Sequence, residues 1–482
     1  MPIMDEPTSL DPQIADSNSE KLVAANCYEG LVRIMADGTI GKGVATDWNI
    51  SDDGLTYTFK LRNNSHWAMF SGHKAVLGEN YEDTFDITVK AEDFKFGIER
   101  TLSEQTGSAD APLFSAVKSI STPDDFTIVF NLSYADDNFL YALTNPGAMP
   151  CDEEFFNLTN GKYGLDAKYL LCNGPFHVSK WTEKTSVKLA KNNEYNGESS
   201  VSPSSVTFYI NNDDSEVADK MNSVTYDVAF LSSSQFSSIE NKKDLNSVAV
   251  QNVTYSFIFN QNDNNYRNKN MRLAFCRSCD TSSLLPPSCK IGGEDYRNGN
   301  AAELLSYDET LAKKNFNDAL LELGSSSVET TILCTEQYES FVKQMVQKLQ
   351  KTLGVKFVST VKVVSESDLE AAVNDGNYSV AFYPFKAKSS FAGEIIEGFD
   401  QNNIFGYESD VLSQKIRNIK NNSGSLEGER SAVADAENYL VSEAVIMPVF
   451  YENSYFVTSK KTSGIYFYSS ADNVCFINAK KS

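Results

Sequence analysis

Reactive side chains are few and scattered along this chain. Its three histidines are His66, His73 and His177. The first two bound the stretch His66-Trp67-Ala68-Met69-Phe70-Ser71-Gly72-His73, and His177 sits between Phe176 and Val178 in a strand-like run. Catalysis needs convergent groups, a nucleophile beside a base or a metal held by a spaced ligand set. No Gly-x-Ser-x-Gly elbow, His-Glu-x-x-His helix or Gly-x4-Gly-Lys-Ser/Thr phosphate loop occurs. Asp/Glu pairs are plentiful, but with 65 acidic residues any such pair reads first as solvated surface. No catalytic residue, cofactor or metal ligand is therefore assigned, and the chain is expected not to be an enzyme. Among the eight cysteines, Cys276-Arg277-Ser278-Cys279 is a CxxC. It has no further Cys or His pair nearby to complete a tetrahedral zinc set. On a helix the two thiols share a face and are expected to be buried, with a disulfide or redox pair as the alternative. Cys151 and Cys172 bracket a loop and can be bridged if their Cα atoms come within reach.

Side chains suited to binding are more informative. Tyr255, Phe257 and Phe259 stand at i, i+2 and i+4 and share one strand face. That face either packs under a sheet or stacks on a ligand. Phe382 and Tyr383 point to opposite sides of a strand, so at most one of them lines a cleft. Lys386 and Lys388 are the charges nearest to them, either an exposed loop pair or partners for a carboxylate or sugar acid.

Elements must hold these groups in place. Leu55, Tyr57, Phe59 and Leu61 alternate with polar residues, as do Phe126, Ile128, Phe130 and Leu132 after the turn Pro123-Asp124-Asp125, the period of half-buried antiparallel strands. Val206 to Ile210 is a further β-rich run. In the second half, Asp308 caps a helix carrying Leu311, Phe316, Ala319, Leu320 and Leu323, stopped by Gly324. Tyr338, Phe341, Val342, Met345, Val346, Leu349 and Leu353 form an apolar helical stripe closed by Gly354. Strands are expected at Val355–Val358 and Ser379–Tyr383, with a short helix opening at Ser365. Such alternation predicts an α/β lobe with a mostly parallel sheet.

At 482 residues the chain exceeds what one core supports and predicts roughly two to three domains. Apolar content of 41% with 12% aromatics marks a globular protein. A net charge of −23 argues against nucleic acid and anionic lipid as partners. No run approaches the ~18 to 20 apolar residues of a membrane span. The opening Met1-Pro2-Ile3-Met4-Asp5 has no basic or apolar leader segment, which by itself reads as cytoplasmic.

An ordered set of segments overrides that last reading. They are Tyr28-Glu29-Gly30-Leu31-Val32-Arg33, Gly43-Val44-Ala45-Thr46-Asp47-Trp48, Asp53-Gly54-Leu55-Thr56-Tyr57-Thr58-Phe59-Lys60-Leu61-Arg62, Val89-Lys90-Ala91-Glu92-Asp93-Phe94, Asn173-Gly174-Pro175-Phe176-His177-Val178 and Lys191-Asn192-Asn193-Glu194-Tyr195. Together they resemble the extracytoplasmic solute-binding proteins of ABC importers, the peptide-binding (oligopeptide/dipeptide) family 5. The resemblance implies a two-lobed periplasmic-binding-protein-like α/β fold (class II, cluster C type) with an inserted α+β domain. It places a discontinuous first lobe at 1–43, 160–257 and 454–482, a small domain at 44–159 and a second lobe at 258–453, with hinge strands near 257–260 and 451–453. It implies a monomer, periplasmic or lipid-anchored at a cell surface, whose export signal has been removed. Its ligand would be a peptide handed to an ABC permease and its ATPase. The alternatives are an oligosaccharide, opine or metal chelate on the same scaffold, or a peptide-sensing receptor without transport.

In such proteins an extended peptide pairs with two strands, matched here by Asp16-Ser17-Asn18 and by Val380–Pro384. The ligand-binding residues so implied are Asp16, Asn18, Tyr255, Asn260, Phe382, Tyr383, Pro384, Lys386 and Lys388. One departure stands out. Pro384 occupies the place where the family carries an Asp for the peptide ammonium, and Ala381 that of a Trp. Asp16 is the candidate to replace that acid.

Overall fold

The computed structural model describes the chain except residues 36–38, 137, 198–199, 212, 288, 292–293, 298–304, 387–391, 401–402, 423–424 and 469–472. It divides into two compact units, Met1–Val250 with Ser454–Ser482, and Gln251–Asn453.

In the first unit, the short strand β1 (Pro2–Ile3) precedes helix α1 (Asn18–Cys27). Strands β2 (Ala45–Ile50), β3 (Thr56–Leu61), β4 (Val117–Asp124) and β5 (Thr127–Leu132) form an antiparallel sheet of order β2-β3-β5-β4, beside helix α2 (Ala91–Leu102). The expected alternation holds: Tyr57, Phe59, Leu61, Ile128, Phe130 and Leu132 are buried. A second sheet, of order β1-β8-β7-β6, is built from β6 (Phe176–Thr182), β7 (Ser186–Lys191) and β8 (Ser205–Ile210). Helix α3 (Asp214–Asn222) and strand β9 (Val228–Ser232) complete the part used below.

The ordered segments of the sequence converge on one knot in this unit. Glu29 exchanges main-chain bonds with the Asn173 side chain, Glu29 N to Oδ1 at 3.0 Å and Nδ2 to Glu29 O at 2.8 Å. Its carboxylate pairs with Arg62 and accepts from the Tyr195 hydroxyl at 3.2 Å. Arg62 also donates to Gly43 O at 2.6 Å. Gly174 N donates to Cys27 O at 2.8 Å, and a Cβ on Gly174 would lie 2.6 Å from Tyr28 N. Glycine is thus required here by close backbone approach. These residues hold strands and loops of the first unit together.

His73 is fully buried, and its Nε2 lies 3.1 Å from Leu170 O. Burial pushes its pKa down to about 4, against the opposing effect of that carbonyl. All eight cysteines are free thiols. Cys151 does not meet Cys172: it accepts from Arg100 Nη1 at 3.5 Å, whereas Cys172 lies against Cys27.

The second unit carries a mixed sheet of order β14-β10-β13-β11-β12, with β10 (Leu245–Phe259), β11 (Val328–Cys334), β12 (Phe357–Val363), β13 (Val380–Lys386) and β14 (Ile446–Ser459). The N-terminal end of β10 and the C-terminal end of β14 belong to the first unit, where β9 pairs antiparallel with Ser454–Thr458. Only β12-β11-β13 is parallel; β13 runs antiparallel to β10. The expectation of a mostly parallel sheet is corrected accordingly, because chain crossings through β10 and β14 need no helical return.

Helices α4 (Lys269–Cys276), α5 (Glu309–Leu323), α6 (Glu339–Leu353), α7 (Glu366–Asn374), α8 (Asp410–Asn421) and α9 (Leu426–Ser442) accompany the sheet. Asp308 caps α5 through Leu311 N at 2.8 Å, and Gly324 ends it at φ +63°. Of its apolar set, Leu311 is exposed while Phe316, Ala319 and Leu320 are buried. The strand expected at 355–358 starts later, at Phe357, because Gly354 and Val355 still belong to the turn and Val355 is 95% exposed. Cys276 is the last residue of α4 and Cys279 lies just beyond it. Both are buried, and burial raises their thiols to about 12 and about 11.

Candidate functional site: an open strand edge in the second unit

Strand β13 outruns its neighbour. Its full length pairs with β10, from Phe259↔Val380 to Val253↔Lys386. On the other side it pairs with β11 only at Val380 and Ala381, because β11 ends at Cys334 and the chain turns into α6. The parity of the ladder decides which groups face that gap. Asn260 N donates to Ser379 O at 3.1 Å. In an antiparallel pair the bonding residues alternate, so Ala381, Tyr383 and Phe385 also bond toward β10. The carbonyls of Phe382 and Pro384 and the main chain of Lys386 therefore face away from β10, and no described residue pairs with them there. Pro384, which has no N–H, is tolerated because its nitrogen faces the edge and not the β10 ladder.

Side chains around this edge sort by face. Tyr255, Phe257 and Phe259 are buried on one face of β10, with Phe382 opposite Phe257 and its ring centroid 5.0 Å away. Packing beneath the sheet is thus the outcome for Phe257, Phe259 and Phe382. Tyr255 sits at the margin of this cluster, 4.5 Å from the Tyr338 ring and 5.2 Å from that of Phe450. Tyr383 points to the other face and packs half-buried there, as does Phe385 against Phe399 at 5.1 Å.

The remaining expected site residues fare differently. Asn260 is committed to the fold: its Nδ2 donates to Gly376 O and Tyr378 O, both at 2.8 Å, and its Oδ1 accepts from Asn262 N. The Lys386 side chain and all of Lys388 lie outside the described residues. Asp16 and Asn18 are exposed in the first unit, but Asp16-Ser17-Asn18 is no strand. Ser17 caps α1, its Oγ accepting from Glu20 N at 3.2 Å while Glu20 Oε2 accepts from Ser17 N at 3.1 Å and Asp16 N at 3.0 Å. A reciprocal capping box of this kind opens a helix, and the Ser17-x-x-Glu20 spacing was the available signal. Burial opposes the Glu20 charge, yet these bonds and those from Thr8 and Ser9 hold its pKa below the usual value.

Sequence reasoning also missed Tyr338 and Glu452. Tyr338 Oη donates to Glu452 Oε1 at 3.4 Å, and burial together with that carboxylate pushes the phenol up to about 12. Among the described residues no group of three or more His, Cys, Asp or Glu could hold a metal ion, and no helix is long and apolar enough to cross a membrane.

Comparison with known proteins places the chain as a whole. The family model for bacterial extracellular solute-binding proteins, family 5 Middle, matches residues 39–405. The chain belongs to that family. Among its relatives this solute-binding protein is 24% identical to the dipeptide-binding protein DppE of Bacillus subtilis over 496 residues, spanning 95% of this chain and 88% of the relative. Its fold is shared with a dipeptide-binding protein from Pseudoalteromonas solved with Met-Leu, at TM-score 0.78 and 18% identity, covering 100% of this chain and 99% of that one. Listeria monocytogenes OppA, solved bound to peptide, gives TM-score 0.76 and 20% identity over 100% and 98% of the two chains. The two-lobed binding-protein fold expected from the sequence is therefore the fold this solute-binding protein has.

Proposed function

We propose that this protein binds an extended peptide by adding it as a strand to the free edge of β13, and delivers it to the permease and ATPase of an ABC importer. The observation that carries this reading is the run Phe382–Lys386, paired with β10 on one side and with no described strand on the other although it lies inside the sheet. Main-chain pairing recognises groups every peptide shares, which permits binding with little regard to side chains. The names of the relatives, a dipeptide-binding protein and a peptide-bound OppA, support the same class of ligand. In this reading the protein acts outside the cytoplasm, as a monomer, without turning its ligand over. On the same reading one lobe is made of 1–43, 160–257 and 454–482, with an inserted domain at 44–159, the other lobe is 258–453, and strands near 257–260 and 451–453 are the hinge.

Native mass spectrometry of the purified protein, followed by calorimetry with short peptides, tests the proposal. Peptide-mass adducts are expected. N-methylation at the ligand residues whose N–H meets the Phe382 and Pro384 carbonyls should abolish binding, while methylation at the alternate residues should be tolerated. Binding of a non-peptide solute with no affinity for any peptide would overturn the reading, and so would indifference to N-methylation at every position.

A further inference from the structure

A net charge of −23 conceals one local exception. Three segments of the first unit lie side by side: 240–244, 460–463 and 480–482. Lys460 N donates to Asp244 O at 2.9 Å, and Lys460 Nζ to Lys243 O at 2.7 Å. Thr462–Ser463 pairs antiparallel with Lys480–Lys481, and Ser482 N donates to Lys461 O at 2.8 Å. This gathers Lys242, Lys243, Lys460, Lys461, Lys480 and Lys481, all of them exposed. Among the described residues only Lys481 meets a carboxylate, Asp227 Oδ1 at 2.9 Å. Glu240 and Asp244 are the acids on the three segments themselves, so positive charge is in excess. Gathering like charges does not stabilise a fold; an anionic surface opposite them would relieve the repulsion. Beside the lysines, the half-buried Phe236 and Tyr455 rings stack at 4.1 Å, and Lys242 Nζ lies 5.1 Å from the Phe236 centroid. Lysines bordered by aromatic rings suit a membrane–water interface.

We propose that this lysine face of the first unit lies against the anionic phosphate headgroups of a membrane and holds the protein at the bilayer. The residue type favours a bilayer over an acidic protein patch. All six cations are lysines, and none of the three segments carries an arginine. Arginine forks match carboxylates at fixed positions, whereas lysines are mobile point charges suited to a diffuse field of headgroups. The proposal is independent of which ligand β13 takes.

Co-sedimentation with vesicles of equal parts phosphatidylglycerol and phosphatidylcholine, set against pure phosphatidylcholine, tests this on the whole protein. Wild type should bind the anionic vesicles in low salt and leave them at about 0.5 M salt, where screening shortens to a few ångströms. Neutral vesicles should leave it in solution. Lys243→Gln, Lys461→Gln and Lys480→Gln combined should weaken binding about a hundredfold, at roughly fivefold per lysine. Arginine at the same three positions keeps the charge and should preserve binding. The control combines Lys42→Gln, Lys118→Gln and Lys188→Gln, exposed lysines of the first unit outside the cluster. It changes the net charge equally and should bind within about threefold of wild type. No binding to anionic vesicles, equal binding to neutral ones, or an equal loss in the control would overturn the proposal. If the glutamine triple loses only its association with a permease held in neutral vesicles, the face serves an acidic protein surface and the membrane proposal falls.

Discussion

At the scale of single residues, the side chains most legible in the sequence turned out to be those that hold the protein together. Glu29 and Arg62 were read as part of an ordered signature, and they form a sequestered ion pair with side chains 4% and 13% exposed. Glu29→Gln leaves the guanidinium without its counter-charge and should cost roughly 3 kcal/mol in urea unfolding; a loss near zero would mean the knot is not structural. His73 gives a pH effect of known sign. With a folded pKa of about 4 against 6.5 for the free side chain, the unfolded chain takes up the proton first as pH falls. Its contribution is therefore nil above pH ~6.5, erodes by up to ~1.4 kcal/mol per pH unit below that, and levels off below pH ~4. Melting curves of wild type and His73→Phe should diverge across that window and run parallel above it. Val224 follows α3 with φ +55°, a conformation strained for a β-branched residue. Val224→Asn should thus stabilise by roughly 0.5 to 1 kcal/mol, read as a raised denaturant midpoint with unchanged slope. None of this strain is visible in sequence, because no local pattern records a left-handed backbone conformation at a valine.

At the scale of elements, legibility followed the strength of the local code. The caps at Asp308 and Ser365, the αL glycine at 324 and the stripe of α6 come from interactions within a few residues, and they appear as expected. The start of α1 was hidden by a competing reading of Asp16-Ser17-Asn18 as a strand, although the capping pair three residues apart was there. Sheet composition was the least accessible, since whether β10 lies parallel or antiparallel to β13 depends on partners more than a hundred residues away. The free edge of β13 belongs to the same class of fact: it exists because β11 stops at Cys334, which nothing in Val380–Lys386 encodes. Its parity makes a sharp prediction. Pro384→Ala restores an N–H that points away from β10 and should change stability by less than about 1 kcal/mol. Tyr383→Pro removes a donor from the β10 ladder and should cost about 3 kcal/mol. Circular dichroism melts of the two variants distinguish the assigned parity from its reverse, in which their order would invert.

At the scale of the whole molecule, the need for more than one core was evident from length, whereas the boundaries were not. Apolar clusters form separately around Phe59, Phe94 and Leu189 in the first unit and around Phe257, Phe275 and Val346 in the second. Two separately packed units predict that the calorimetric enthalpy of unfolding exceeds the van't Hoff value, and a ratio of one would show them to be a single cooperative block. A peptide at a hundred times its Kd should stabilise the unit carrying β13 by about 2.7 kcal/mol, raising that transition at least. Pro384 has a last consequence, one of colloidal behaviour. A bare strand edge is a template on which the edge of another molecule can zip, and repeated zipping makes insoluble aggregates. A proline in the middle of the exposed run deletes one rung from any such ladder, and a long, rigid neighbouring strand cannot step around the gap. A short flexible chain can, by setting its own carbonyl elsewhere. The missing donor thus makes the exposed end of β13 a poorer template for edge-to-edge pairing with another copy of the protein.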